Sequence, residues 1–123
     1  MSHIVTIATQ IRDPVAVVAA CRRLQLPPPA EGRHRLFAEQ VDGLAVRLRD
    51  WRYPVVAQLA TGELRYDNFQ GRWGDAQRLD ELLQAYAVEK ATLEARRRGQ
   101  AVTEQQLADG SVRLTLHAGG ASS

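Results

Sequence analysis

Three glycine-bearing dipeptides, Asp42-Gly43, Thr61-Gly62 and Asp109-Gly110, each stand between two runs of strand-forming residues. A tight hairpin turn needs positive φ near its centre, a conformation that glycine adopts without steric cost. Each dipeptide therefore predicts a hairpin: 33–41 with 44–50, 54–59 with 63–69, and 101–107 with 111–117. Hairpins join antiparallel neighbours, so a chain with three of them is expected to build a mainly antiparallel sheet. A further strand is expected over 4–11, where Ile4, Val5, Thr6, Ile7 and Thr9 are β-branched.

Two stretches carry helical spacing instead. Asp13-Pro14 opens the first: Asp accepts an orphan backbone N–H at the N-cap, and Pro at the first helical position gives up no needed donor. Val17, Cys21 and Leu24 then form an apolar stripe, which makes Cys21 a core residue, and Pro27-Pro28-Pro29 ends the segment. The second helix is expected from the Asp75 cap to about Arg98, closed by Gly99, with Leu79, Leu82, Leu83, Tyr86 and Leu93 on its buried side. Arg22-Arg23 and Arg96-Arg97-Arg98 occupy the two last turns, where cations suit the helix dipole. The order β-α-β-β-β-β-α-β-β describes an α+β two-layer sandwich, a mainly antiparallel sheet with both helices on one face. At 123 residues the chain has the size of one domain, taken here as 1–118, with 119–123 a frayed tail.

Several chemistries are poorly provided for. The lone Cys21 makes no internal disulfide, and no glycine-rich phosphate loop, Gly-x-Ser-x-Gly elbow or His-Glu-x-x-His segment occurs. His3, His34 and His117 are not at ligand spacing; His3 and His117 are weak metal candidates that need adjacent, in-register strand ends. No catalytic residues and no cofactor are assigned, and no apolar run is long enough to span a membrane. The opening stretch lacks the features of a signal peptide, which points to the cytoplasm.

The charged residues are more informative. The formal net charge is only +2, yet Lys90 is the sole lysine among 16 basic residues. A GC-rich genome accounts for an Ala- and Arg-rich composition; the functional alternative is arginine chosen for forked contacts to carboxylate or phosphate. On the third strand Leu44, Val46 and Leu48 alternate with Ala45, Arg47 and Arg49, and on the last Val112, Leu114 and Leu116 alternate with Arg113, Thr115 and His117. If the apolar sets face the helices, the arginines share the opposite face. Arg35 and Arg65 join them, with Trp51, Arg52, Tyr53, Phe69 and Trp73 in nearby turns. A partner-binding surface of Arg35, Arg47, Arg49, Arg65, Arg113, Trp51 and Trp73 follows, serving a non-catalytic interaction module or adaptor. Single-stranded nucleic acid, stacked on the aromatics, is the alternative ligand, against which near-neutral charge counts. A second copy of the chain is another candidate partner, and a small enzyme with an unrecognised site is the remaining class.

The opening MSHIVTIATQIRD, the segment LLQAYAVEK and the closing VTEQQLADGSVRLTLH, in that order, resemble the conserved chloroplast reading frame 35 family (domain of unknown function 1257) of algal plastids, cyanobacteria and other bacteria. The central RLFAEQVDGLAVRLRDWRYPVVAQL is a looser match. The resemblance implies a small soluble α+β protein, in the company of AAA-type ATPases and small electron-transfer proteins. It carries no catalytic residues to this chain.

Overall fold

In the computed structural model, which describes residues 4–117, the elements follow in the order β-α-β-β-β-β-α-β-β. Helix α1 (Pro14–Arg23) starts where Asp13 Oδ1 accepts the N–H groups of Val15 at 2.9 Å and Ala16 at 3.4 Å. Helix α2 (Ala76–Arg97) starts where Asp75 Oδ1 accepts from Gln77 N at 2.9 Å. It closes with Gly99 N donating to Arg96 O and Gln100 N to Ala95 O, which satisfies carbonyls the helix leaves unpaired.

Strands β1 (Val5–Ala8), β2 (Ala30–Leu36), β3 (Glu39–Val46), β4 (Val55–Gln58) and β5 (Glu63–Tyr66) form an antiparallel sheet in the order β1-β5-β4-β3-β2. Register puts Ile7, Leu64, Ala57 and Leu44 in one cross-strand row and Thr6, Arg65, Val56 and Ala45 in the next. Neighbouring rows face opposite sides. The first row, with Val46 and Val55, packs against Ala16, Val17, Ala20 and Cys21 of α1 and Leu79, Leu82, Ala85 and Tyr86 of α2 in one buried cluster. Both helices therefore cover the same face, as the apolar stripes predicted. Leu83 and Leu93 of the α2 stripe are only partly buried. Cys21 is buried, and burial pushes its thiol up, away from the reactive thiolate.

The α1 cap is tied to α2. Burial alone would raise the Asp13 carboxyl, but the hydrogen bond from Lys90 Nζ at 3.0 Å and the two α1 amides outweigh it and hold it below its usual range. The Tyr86 hydroxyl accepts the N–H groups of Arg12 and Asp13, both at 3.1 Å, and fixes the loop between β1 and α1.

Two features depart from the sequence expectation. The first hairpin turns at Phe37-Ala38, and Asp42-Gly43 lies within β3, with Gly43 paired to Gly32. A Cβ on Gly43 would lie 2.6 Å from Ala57 O and 2.8 Å from Val56 Cγ1, so glycine serves here for close approach to β4 rather than for a turn. With the turn displaced, Leu36 and Val41 of the distal ribbon meet Ala45 and Val56 in a second buried cluster, with Ile4 and Tyr53 packed against it. The ribbon thus folds over part of the face left free by the helices. Second, β6 (Ala101–Gln106) and β7 (Val112–His117) form a separate two-stranded sheet beside α2. The hairpin turn expected at Asp109-Gly110 is where the structure has it, with Leu107 N donating to Ser111 O at 2.8 Å and Gly110 N to Leu107 O at 3.0 Å.

Candidate interaction surface

The displaced hairpin tip meets two loops, 47–54 and 67–75, at one end of the sheet. Two hydrogen bonds hold those loops together, Arg52 N donating to Trp73 O at 2.8 Å and Trp51 Nε1 to Asp75 O at 2.9 Å, and within the second loop Asn68 Nδ2 donates to Gly74 O at 3.2 Å. Buried Asp67 accepts the Phe69 N–H at 3.1 Å. On this frame sit Phe37, Tyr53, Phe69 and Trp73. The Trp73 ring centroid lies 5.1 Å from that of Phe37 and 4.7 Å from that of Phe69, with interplanar angles of 34° and 35°. Tyr53 meets Trp73 edge-on at 5.6 Å and Phe37 at 6.5 Å.

Two guanidinium groups cap the rings. Arg52 lies 5.0 Å from the Trp73 centroid and 5.8 Å from that of Tyr53, and Arg72 lies 5.1 Å from that of Phe69. Such contacts leave the N–H groups of the fork free to bind an anion. Arg35, Arg52 and Arg72 are exposed and form no ion pair among the described residues. Phe37 is 43% exposed, an unusual amount for a ring packed on two other aromatics. The backbone beneath the patch is held in the left-handed region at Phe37 (φ 23°), Phe69 (φ 48°) and Gln70 (φ 55°). A bulky residue there costs on the order of 1–2 kcal/mol, and such strain tends to gather where a surface is shaped for use.

The residues expected to form one surface are dispersed. Trp51 is 8% exposed, and its indole lies against Gly74, where a side chain would collide with the ring; it belongs to the helix-side core. Arg47 and Arg49 are exposed but lie beyond the end of β3, and Arg49 borders a crevice with Leu24, Leu26, Arg78 and Glu81 on the helix side. Arg113 lies on the separate β6–β7 sheet. Arg65 alone occupies the outer face of the main sheet as expected, half-buried between Thr6 and Val56, its Nε without a hydrogen-bond partner. Trp73 lies in the aromatic patch, and Arg35 stands beside it, its Nε 3.5 Å from Phe37 O. Among the described residues no three His, Cys, Asp or Glu side chains group as metal ligands, and His117 Nε2 lies 2.9 Å from Thr103 Oγ1; His3 lies outside the described residues.

Sequence reasoning missed Phe37 and Arg72. Phe37 was expected inside a strand, and no local signal marks it as a turn residue. Its role follows from where Leu36 and Val41 are buried.

A second concavity, of about 640 Å³, lies between α2 and the β6–β7 hairpin, with Asp80, Glu81, Glu104 and Asp109 on its walls. Two of these carboxylates are spoken for, Glu104 by Arg23 at 2.6 Å and Glu81 by Arg78 at 3.1 Å. Asp109 accepts from the hydroxyl and N–H of Ser111, which hold it below the usual carboxylate range.

Comparison with known protein families, characterised proteins and solved structures finds no match to this chain. The functional reading therefore rests on the chemistry of the patch.

Proposed function

We propose that the protein is a non-catalytic interaction module that binds an acidic, aromatic-bearing segment of a protein partner at the Phe37–Tyr53–Phe69–Trp73 patch. The observation that carries this reading is the pair Arg52 and Arg72, stacked on rings and without ion-pair partners among the described residues. An arginine held by a ring presents its fork in a fixed direction, so less entropy is lost when a carboxylate arrives. The tilted packing of Phe37 and Phe69 on Trp73 supports a protein over single-stranded nucleic acid. Bases need open ring faces to stack on, and here the rings already use theirs on one another. The net charge of +2 points the same way.

Trp73 is half-buried at the patch, so its fluorescence reports occupancy. Titration with a glutamate-rich peptide carrying one aromatic residue should shift the emission. The double change Arg52→Glu, Arg72→Glu should remove the response. Two lost charge-assisted contacts at about 1.5–3 kcal/mol each amount to roughly a hundredfold or more in affinity. The melting temperature should hardly move, because exposed charges contribute little to folding. A response to an oligodeoxythymidine but not to the peptide would replace the protein partner with nucleic acid.

A further inference from the structure

The β6–β7 hairpin turns through Leu107–Ser111, where Leu107 N donates to Ser111 O. That bond sets the phase of the ladder, because hydrogen-bonded and non-hydrogen-bonded pairs alternate along an antiparallel ribbon. Gln106 and Val112 are then a non-bonded pair, Gln105 and Arg113 a bonded one, and so on to Ala101 and His117. Arg113, Thr115 and His117 direct their backbone groups toward β6. Val112, Leu114 and Leu116 direct theirs outward, and no strand pairs with that edge among the described residues.

An outward edge of this kind is normally blunted. In the main sheet β1 is only 4 residues long, and β2 carries Glu31, Arg33 and Arg35 around Gly32. The β7 edge has 6 residues, VRLTLH, with no proline and Arg113 as its one arginine, and its penultimate residue Leu116 is 48% exposed. Its spacing is also self-complementary. Antiparallel pairing of two β7 strands with Leu114 opposite Leu114 places Val112 opposite Leu116, twice. Every outward N–H and C=O of these residues then finds a partner. Shifting the register by one residue sets outward groups against inward ones, and shifting it by two leaves one of the three residues unpaired. Arg113 faces Thr115 in the centred register, so no like charges stand directly opposite.

We propose that this edge is an interface between two copies of the chain, joined through β7 about a two-fold axis at Leu114 into a four-stranded sheet. This surface is separate from the aromatic patch and does not depend on its function. The contact is small, so association is in the micromolar range or weaker.

Sedimentation of the full chain over a wide concentration range should show a reversible monomer–dimer equilibrium. Leu114→Pro removes an outward N–H that β6 does not use, and Leu116→Lys places a charge beside the edge. Each should weaken association by roughly tenfold or more while the far-ultraviolet spectrum is kept. If Leu114→Pro disturbs the hairpin, Leu116→Lys carries the test. Amide exchange gives a sharper readout. Protection at Val112, Leu114 and Leu116 should rise with protein concentration, while Arg113 and Thr115 stay protected throughout. A monomer at every concentration, or a dimer that survives Leu116→Lys with those three amides unprotected, overturns the proposal.

Discussion

The β2–β3 hairpin turns at Phe37-Ala38, whereas β6–β7 turns at Asp109-Gly110, with Gly110 at φ 89°. The first has no favoured turn dipeptide, and bulky Phe37 takes positive φ. The second follows local chemistry throughout: Asp109 Oδ1 accepts the Ser111 N–H at 2.9 Å, and glycine occupies the left-handed position. What separates them is burial. The distal β2–β3 ribbon can place Leu36 and Val41 against Ala45 and Val56, and only the longer ribbon reaches that far. Fully burying side chains of this size is worth about 1.5–3 kcal/mol each, more than the strain of one awkward turn residue. The β6–β7 ribbon lies mainly against α2 and most of its residues are exposed. With little burial to gain, its turn follows local preference.

The largest test of this contrast compares Leu36→Ala with Leu114→Ala. Leu36 is completely buried, and its truncation should cost about 2–5 kcal/mol in denaturant unfolding. Leu114 is only partly buried, and its truncation should cost well under that. Equal losses would mean that the β6–β7 hairpin is as much part of the folding unit as the first. A smaller test exchanges the two glycines. Gly43→Ala drives a Cβ into β4 backbone and should cost about 1–3 kcal/mol, as overpacking does. Gly110→Ala meets nothing within 4 Å and should lose only the left-handed preference, about 1 kcal/mol. If Gly43→Ala proves the milder of the two, close approach to β4 is not why glycine stands there.

The same contrast explains what could be read from the residues alone. Asp13-Pro14, Asp75 and Gly99 mark helix ends through bonds made within a few residues, and both helices lie where those signals put them. The alternation of Leu44, Val46 and Leu48 against Ala45 identified the helix-facing side of β3 correctly. Asp42-Gly43 has the composition of a turn, but its glycine answers to Ala57, a neighbour fourteen residues away that no local rule represents. The patch was half legible. Arg52, Tyr53, Phe69 and Trp73 stood out as aromatics and arginine in turns, whereas Phe37 arrives by the displaced turn. Trp51 leaves the surface for a space that Gly74 opens. Arg47, Arg49 and Arg113 alternate properly on paper, but the strands end early or belong to another sheet.

The smallest expected effect concerns the polar tie between the second hairpin and the helices. Arg23 Nη2 donates to Glu104 of β6 at 2.6 Å, and Arg23 Nε to Glu89 of α2 at 2.8 Å. Hydrogen bonding to Glu104 and then to Glu89 holds the guanidinium pKa above its ordinary value against the opposing effect of burial. The Arg23 and Glu104 side chains are nevertheless 31% and 38% exposed, so water and salt screen the pair. Glu104→Gln leaves Arg23 paired to Glu89 and should cost no more than about 0.2–1 kcal/mol globally, the usual worth of an exposed ion pair. The local consequence should be larger in proportion. Amides of β6 and β7 should exchange faster, while those of β3, β4 and β5 stay unchanged, because the hairpin opens without the core opening. Raising the salt concentration should shrink the difference between variant and parent. Uniformly faster exchange across both sheets would show that the hairpin and the core unfold as one unit, and the contrast between the two hairpins would then lie in their turns alone.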